Sequence, residues 1–508
     1  MLLTTLMLVP LIGAALVFAL PTGRDLLAKQ VALGFALATF VGSLLMLVGL
    51  DNSSGGLSHT ESYDWIPAFG ISWTLGVNGI SASLIVMSAI LVPLAVIAGW
   101  WDAEHSGRGT AKEYFALILV LEVFIIGVFT ANDLFLFYVF FEAMLFPIYF
   151  LIGRFGGPQR AYAAMKFLLY SLVGGLFMLA SLIGLYVVSA RELGQGTFDF
   201  QTLTTLNMDP STQKMLFLGF FFAFAVKAPM VPFHTWLPDA AAEATPGTST
   251  LLVGVLDKVG TFAMLHFLLP IFPEASKFYA PAIIVLAVIS IFYGALVAIG
   301  QTDVMRLIAF TSISHFGFIV LGIFVMTSQG ISGSSFYMVN HGFSTGALFL
   351  VMGYLVSRRG SKRISDFGGV QKVAPILTGV FLISGLSGLA LPGMSSFVSE
   401  FLVLTGAYAV NPTAAIIATF GIVLAAVYIL WLYQRMMTGE PSKEVEETVT
   451  EISRRELVAV APLIAILIAL GFVPQVALNV INPAVEQVQT YVGVTDPEAA
   501  VVIEGSGS

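Results

Sequence analysis

The sequence predicts an all-α membrane protein, because both its composition and the lengths of its apolar runs fit a chain surrounded by lipid. Of its 508 residues, 57% are hydrophobic and 10% are charged, and the mean hydropathy is +0.93. Soluble domains carry about 25% charged residues. Runs of roughly 20 apolar residues, the length that spans a bilayer, recur along the whole chain. Lipid is therefore the expected solvent for most of the fold.

Fourteen of these runs are expected to cross the membrane as helices. They cover residues 2–20, 27–50, 77–100, 113–130, 132–153, 161–190, 215–237, 246–270, 281–300, 303–326, 334–357, 373–408, 412–436 and 456–475. Only the short turn Ala131-Asn132-Asp133 separates the fourth run from the fifth. Met1 to Leu20 lacks a cationic start and is longer than the apolar core of a secretion signal. It is therefore interpreted as the first helix and not as a cleaved leader.

The basic residues alternate between the loops, and this alternation predicts the orientation of the chain. Lysine and arginine favour the cytoplasmic side. One set of loops carries Arg24, Lys29, Arg108, Lys112, Arg154, Arg160, Arg306, Arg358, Arg359, Lys362, Arg363, Lys443, Arg454 and Arg455. The other set carries Arg191, Lys214 and Lys277. Fourteen helices with both termini outside satisfy this alternation. Residues 440–456 are then a solvated cytoplasmic loop, and Glu504 to Ser508 form a flexible tail or a cloning remnant.

Composition also excludes several classes of function. The chain has no cysteine, which rules out disulfides, thiolate metal sites and cysteine-ligated iron–sulfur clusters. The net charge of −8 and the lack of a basic stripe argue against nucleic acid as a partner. No Walker loop, nucleotide fingerprint or zinc spacing is present. We therefore expect no cofactor and no metal in this chain, and any linked redox chemistry belongs to a partner.

A faint internal repeat predicts the domain organisation. Tyr162-Ala-Ala-Met-Lys166 opens the sixth helix, and Tyr337-Met-Val-Asn-His341 lies near the start of the eleventh. A helix interrupted by proline follows each copy, and five helices separate the copies. The predicted architecture is thus two inverted five-helix repeats with breaks in helices seven and twelve, a pattern typical of transporters. The predicted domains are 1–110, 111–270, 271–438 and 439–508.

Seven of the ionisable side chains inside the predicted helices are candidate proton-carrying groups, because each costs about a few kcal/mol or more in lipid. They are Glu122, Glu142, Lys227, Lys258, His315, His341 and Glu400. A buried acid and lysine also occur as a static structural pair, and a lone histidine often makes only a helix–helix hydrogen bond. Two lysines, three acids and two histidines together are costly for structure alone. The set favours a relay whose members gain and lose protons, as groups with environment-dependent charge can.

Proline is expected to break the helix beside Lys227. Pro229 and Pro232 lack an N–H and leave the carbonyls of Ala225 and Ala228 without their helical partners. Free carbonyls in a membrane need water or protein partners. A hydrated, breakable helix suits a proton site better than a static brace does.

The twelfth helix is expected to loosen in a similar way. Gly385, Gly388, Pro392 and Gly393 interrupt its apolar pattern. Glu400 follows Pro392 by eight residues, which is about 12 Å of helix.

Three segments carry a resemblance to a known family. The run Lys227-Ala-Pro-Met-Val-Pro-Phe-His-Thr-Trp-Leu-Pro-Asp-Ala240 resembles the signature of the antiporter-like membrane subunits of respiratory complex I (NADH:quinone oxidoreductase) and of Mrp-type sodium/proton antiporters. The residues around Glu142, and the run from Gly388 to Phe401, are similar to the helix-five and helix-twelve motifs of that family. The resemblance extends from about helix four to helix thirteen.

This resemblance implies roles for individual residues. Glu142, Lys227, Lys258 and Glu400 match the family's proton path, and His315 and His341 match the histidines that bridge the central lysine to the terminal group. The L- and N-type members and the Mrp relatives usually carry lysine at the terminal position, whereas M-type members carry glutamate, as here. Glu122 is similar to an additional helix-four acid of the M-type members.

The implied function is proton translocation in the bacterial inner membrane, driven by quinone reduction elsewhere in complex I. FMN, iron–sulfur clusters and quinone are then expected in partner subunits, with L- and N-type subunits as neighbours. An Mrp-type cation/proton antiporter subunit is the alternative, with Glu400 as the feature against it. A passive membrane scaffold with structural ion pairs is a third possibility.

The chain departs from the family pattern at a few positions. Asp239-Ala-Ala241 stands where the family often has Asp-Ala-His, and Ala244-Thr-Pro246 where it often has Ala-Pro-Thr. Asp257 precedes the central Lys258, where the family often has an apolar residue. Adjacent helical residues point about 100° apart, so Asp257 need not pair with Lys258. We further predict a buried pair between Glu142 and Lys227, and a hydrated polar axis through Lys258, His315 and His341.

Overall fold

The computed structural model describes residues 1–51, 53 and 55–497, and of His105 only the backbone. The expected tail from Glu504 to Ser508 lies outside these residues. In the described part, twelve helices are long and apolar enough to cross a membrane. They are α1 (Leu2–Ala19), α2 (Asp25–Val48), α3 (Gly79–Ala98), α4 (Ala111–Thr130), α5 (Leu134–Phe155), α6 (Arg160–Leu193), α8 (Pro246–Ile271), α9 (Pro273–Ile299), α10 (Val304–Phe324), α11 (Ser328–Arg359), α13 (Pro412–Met437) and α14 (Arg454–Phe472).

Two further helices are interrupted. The seventh consists of α7a (Pro210–Lys227) and α7b (Trp236–Glu243), and the twelfth of α12a (Pro375–Gly388) and α12b (Ser395–Val410). The twelve long helices and these two pairs lie on the fourteen predicted runs. The all-α multi-pass fold class is confirmed, whereas the count of fourteen crossings and the inverted repeat stay predictions.

An antiparallel hairpin occupies residues that the sequence assigns to a loop. Strands β1 (Ser58–Ile66) and β2 (Ile71–Val77) pair, with Tyr63 opposite Trp73. The carbonyl of Thr74 accepts the backbone N–H of Asn132 at 2.8 Å. The hairpin therefore packs on the tight turn between α4 and α5 and fixes the start of α5.

The chain continues after α14 into α15 (Gln475–Val492), a helix absent from the sequence prediction. Its buried side chains include Leu478, Ile481, Val485 and Val488, spaced three or four residues apart. One face of α15 is thus apolar and packs on α3 and α11. The side-chain amide of Gln489 donates to the carbonyl of Met326 at 3.2 Å and ties the helix to the end of α10.

The segment 440–456, expected to be a solvated loop, is partly helical. It lies on the face of the molecule that carries most of the basic loop residues, called the basic face below. The segment contains a short helix, Lys443–Thr448. Arg358 at the end of α11 donates to both carboxylate oxygens of Glu456, at 3.0 and 2.6 Å, and Arg359 binds Glu444. These contacts join the ends of α11 and α14.

Three helices form the centre of the molecule. The apolar windows of α8 and α10 are 100% buried within the chain, and that of α11 is 94% buried. Their side chains face other helices and not lipid. Lys258, His315 and His341 lie on these three helices, so the fold places the central predicted site residues in its core.

Candidate functional site

The break in the seventh helix is organised around the carbonyls at the end of α7a. The carbonyl of Ala225, freed by Pro229, accepts the backbone N–H of Met230 at 3.1 Å. The carbonyl of Val226 accepts the indole N–H of Trp236, the first residue of α7b, at 2.9 Å. The protein itself thus holds the two half-helices together, and Lys227 is the last residue of the first half.

Lys227 is buried without a polar partner. Its side chain is 1% exposed, and its Nζ has no hydrogen-bond partner among the described residues. The Nζ lies 4.8 Å from the centroid of the Phe141 ring and 5.8 Å from that of Phe167. Aromatic faces attract a cation, so these rings stabilise the ammonium without fixing it by hydrogen bonds.

Glu142 lies near Lys227, but the predicted direct pair is absent from this structure. Oε1 of Glu142 is buried without a hydrogen-bond partner, as is Nζ of Lys227. The carboxylate packs on Gly175 of α6, where a Cβ would collide with Oε1. The pair is open because the acid lies against α6 while the lysine lies over aromatic rings.

Glu122 is the most isolated of the predicted relay residues. It lies on α4, is 1% exposed, and neither carboxylate oxygen has a partner among the described residues. The structure therefore joins Glu122 to no other member of the set by a hydrogen bond.

Lys258 lies between two π-helical turns of α8, Leu252–Leu256 and Met264–Leu268. Side chains of a helix point back toward its N-terminus. Lys258 accordingly reaches the carbonyl of Val253, five residues earlier, and its Nζ lies 2.9 Å from Oδ1 of Asp257. Adjacent helical residues need not pair, but the side chain of Lys258 points toward the N-terminus of α8 and therefore reaches Asp257.

The same ammonium contacts the eleventh helix. Nζ of Lys258 lies 2.6 Å from Nδ1 of His341, so the lysine donates directly to the ring. The water expected between these two residues is not required, because they are already in contact. The ring centroids of His341 and His315 are 5.3 Å apart and nearly perpendicular.

Two tyrosines continue this line of polar groups. The hydroxyl of Tyr428 on α13 lies 3.2 Å from Nε2 of His315. The hydroxyl of Tyr337 on α11 donates to Oε1 of Glu400, and its ring centroid is 5.9 Å from that of His315. In the sequence, Tyr337 is visible only as part of the repeat, and no pattern singles out Tyr428. A buried tyrosine hydroxyl usually finds a partner, and this was the available signal.

Glu400 lies on the second half of the interrupted twelfth helix. The chain leaves the helix at Gly388 and re-enters it at Ser395, with φ angles of +56° at Ala390 and +96° at Gly393. The expected 12 Å of helix between Pro392 and Glu400 is therefore wrong, because Pro392 lies in the non-helical link. Glu400 is in the second turn of α12b, and its Oε2 has no hydrogen-bond partner in the part of the chain that the structure describes.

Asn340 fastens α12b to α11. Its side-chain amide donates to the carbonyl of Ser395 at 3.1 Å and to the hydroxyl of Ser399 at 2.6 Å. Asn340 precedes His341 in the chain, so the same turn of α11 positions the histidine and the helix that carries Glu400.

The site thus has two parts. Lys258, His341, His315, Tyr337 and Glu400 form a buried series across three helices and α12b. Lys227 and Glu142 form a separate group at the break in α7. Within the described residues, no cluster of three or more His, Asp or Glu side chains is arranged to hold a metal ion.

The chain is similar to known membrane proteins. The family described as NADH:quinone oxidoreductase/Mrp antiporter, transmembrane, matches residues 131–425. Subunit M of NADH-quinone oxidoreductase from Mycobacterium tuberculosis (strain H37Rv) is 50% identical, over 98% of this chain and 96% of its own length. The subunit M from Rhodobacter capsulatus is 38% identical, over 96% and 97%.

Solved structures show the same fold. A chain of respiratory complex I from Thermus thermophilus superposes with a TM-score of 0.87 at 30% identity, covering 97% of this chain and 100% of that chain. A chain of the Mrp complex from Dietzia sp. DQ12-45-1b superposes with a TM-score of 0.84 at 22% identity, covering 97% and 98%. The second likeness is one of fold alone.

Proposed function

This chain belongs to the NADH:quinone oxidoreductase/Mrp antiporter transmembrane family, with the subunits M as full-length relatives, and from that premise we propose that it moves protons across the membrane. It does so as a non-redox subunit of a proton-translocating NADH:quinone oxidoreductase. The buried series from Lys258 to Glu400 is the observation that carries this proposal. A static scaffold has no need of titratable groups that line up across three buried helices.

Transfer starts at the contact between Lys258 and His341. The ammonium of Lys258 passes a proton to Nδ1 of His341 across 2.6 Å. Nε2 of His341 has no hydrogen-bond partner among the described residues and is the site from which the proton leaves. The ring of His315 is the next group, and a ring rotation or a bridging water closes the distance between the two imidazoles.

The series ends at Glu400. The Tyr428 hydroxyl orients the His315 ring through Nε2, and the Tyr337 hydroxyl holds one oxygen of Glu400. The other oxygen, Oε2, is without a partner and accepts the arriving proton. Glu400 then releases the proton to the outside or to a neighbouring subunit when the link between α12a and α12b opens.

Lys227 and Glu142 act as the pair that takes up a proton in the first of the two repeats. The lysine has no hydrogen bond to break, so movement of Glu142 toward it or away from it changes the stability of the charged lysine directly. An open pair favours proton release toward Lys258, and a closed pair favours proton uptake. Glu122 is proposed as a further member of this half.

The remaining assignments follow from family membership. We place the chain in the bacterial cell membrane with both termini outside, and with residues 111–270 and 271–438 as two inverted repeats. Segments 1–110 and 439–508 flank these repeats. L- and N-type subunits are the proposed neighbours, and FMN, iron–sulfur clusters and quinone lie in other subunits.

Glu400 and the full-length relatives favour this function over an Mrp-type antiporter. The Mrp chain shares the fold at 22% identity, whereas the subunits M match at up to 50%. Purification of the chain with its native neighbours separates the two. Co-purification of flavin and iron–sulfur subunits supports the proposal, and their absence from an intact assembly contradicts it.

Substitution of Lys227 tests whether the chain transfers protons. We expect Lys227→Ala to abolish most coupled pumping in sealed vesicles, while Glu142→Asp retains part of it. Lys227→Arg keeps a charge but cannot release a proton, so it should also fail to pump. Lys214→Ala is the matched control, because Lys214 is on the same helix but lies over Phe278, away from the break. Normal pumping by Lys227→Ala would show that the lysine is only structural.

A further inference from the structure

Asp257 is a buried carboxylate that the proposed relay does not yet use. Its side chain is 0% exposed, and its Oδ1 lies 2.9 Å from Nζ of Lys258. Its second oxygen, Oδ2, has no hydrogen-bond partner among the described residues. An unsatisfied buried carboxylate oxygen is costly, so this arrangement calls for a reason beyond packing.

The surroundings of Asp257 contain few other charges. Among the described residues, Lys258 on the same helix is the charged group in direct contact with it. His341 on α11 faces the same ammonium, and the ring of His315 on α10 lies behind His341. Phe316 on α10 covers the lysine with its ring centroid 5.3 Å from Nζ. The charge of Asp257 therefore acts directly on Lys258.

Two groups in contact with Lys258 have opposite effects on its protonation. Asp257 as a carboxylate favours the charged form of the lysine. His341, whose Nδ1 lies 2.6 Å from Nζ of Lys258, is a proton acceptor. A lysine in this position keeps its proton while Asp257 is ionised, and it loses the proton more readily when Asp257 is neutral.

We propose that Asp257 is the local proton acceptor that drives the proton of Lys258 onward to His341. This inference rests on the proposed function, because it assumes that Lys258 is part of the relay. The centre of the molecule then has its own carboxylate–lysine pair, Asp257 and Lys258, in addition to the pair formed by Glu142 and Lys227.

The step conserves protons and charge. A proton arriving from the Lys227 side binds Oδ2 of Asp257, and the carboxylate becomes a neutral acid. The ammonium of Lys258 then transfers one proton to Nδ1 of His341 and becomes a neutral amine. The pair returns to its first state when the acid gives its proton to the amine across 2.9 Å, which leaves both groups ionised again.

Isosteric substitution in the assembled complex tests this role. Asp257→Asn keeps the size and the contact with Lys258 but cannot take up a proton. We expect the ratio of protons moved to NADH oxidised to fall, because loss of a positioned acid or base slows proton transfer about 10²–10⁴-fold. The pH optimum of pumping should also move to lower pH, because Lys258 loses the anion that favours its charged form. Asp257→Glu restores a titratable group and should recover part of the activity.

A matched control and a second variant keep the outcomes distinct. Asp133→Asn changes another fully buried carboxylate, which caps α5 by accepting the N–H groups of Phe135 and Leu136, and it should leave the ratio unchanged. Lys258→Met tests the relay on which the inference depends. If Lys258→Met pumps normally, the proposed relay fails. If Lys258→Met is inactive but assembled Asp257→Asn pumps normally with an unshifted pH optimum, only the role of Asp257 is overturned.

Discussion

At the scale of single residues, the hydroxyl of Tyr337 is the most specific addition to the site. It donates to Glu400 while its ring packs near that of His315. Tyr337→Phe removes only the hydroxyl, so the charged form of Glu400 loses a donor. We expect coupled pumping to fall several-fold with assembly intact, measured as proton uptake by inverted vesicles during NADH oxidation.

The same helix offers a control for this change. Tyr354 also lies on α11 and is buried, but its hydroxyl has no hydrogen-bond partner among the described residues. Tyr354→Phe should therefore leave pumping unchanged. Equal effects of the two substitutions would show that loss of packing, and not loss of the Glu400 contact, is responsible.

Glu400 itself provides the second test at this scale. Glu400→Gln preserves the shape and can still accept a hydrogen bond from Tyr337, but it cannot titrate. We expect an assembled complex with strongly reduced proton pumping. Glu400→Lys should be tolerated better than Glu400→Ala, because lysine is titratable and relatives carry it at this position. Full pumping by Glu400→Gln would show that the side chain only braces α12b.

The titratable residues were easier to predict than their partners. A charge in an apolar run is visible in sequence because of its cost in lipid, and this located Lys227, Lys258 and Glu400. Tyr428 gave no such signal, since tyrosine is common in buried helices. The Asp257–Lys258 contact depends on the direction of one side chain, and the open state of Lys227 depends on where two aromatic rings lie. Neither can be read from residue spacing.

At the scale of secondary-structure elements, apolar length predicted the membrane helices well. Apolar length did not predict the elements that depend on other interactions. The β1–β2 hairpin depends on backbone pairing and on contact with the turn before α5. Helix α15 contains Asn479, Asn482 and Pro483 and has only one apolar face, so its hydropathy is low. The prolines predicted that α7 and α12 break, but contacts such as the one between Trp236 and Val226 determine where the halves end.

This indole contact gives a prediction for the broken seventh helix. Trp236 is fully buried, and its N–H satisfies the Val226 carbonyl. Trp236→Phe leaves that carbonyl without its partner, which costs about 1–3 kcal/mol. We expect a lower midpoint of thermal unfolding for the purified complex.

A tryptophan elsewhere in the chain separates this effect from general loss of ring area. Trp65 on β1 is 42% exposed and packs edge-on against Trp73. Trp65→Phe should change the unfolding midpoint by much less. A midpoint for Trp236→Phe equal to that of the unmodified complex would exclude the indole contact as a support of the break.

At the scale of the whole molecule, the two faces differ in charge and in structure. The basic face carries the ends of α11 and α14 and the ion pairs of Arg358 and Arg359. The opposite face carries the hairpin, α15 and the segment between α6 and α7a. The buried series lies between these faces, and the side chains of Lys258, His315, His341, Tyr337 and Glu400 are each at most 3% exposed. This burial shields the series from lipid.

Because the sequence has no cysteine, the orientation of the molecule can be tested without labelling of any native residue of this chain. Thr205 and Glu447 are exposed and lie on opposite faces, with Glu447 on the basic one. Because basic loops stay in the cytoplasm, a membrane-impermeant maleimide should label Thr205→Cys in intact cells and Glu447→Cys only in inverted vesicles. Both should react equally in detergent, which controls for local access. Labelling of Glu447→Cys in intact cells would reverse the orientation and place both termini in the cytoplasm. Glu400 would then have to be reassigned from proton release to proton entry.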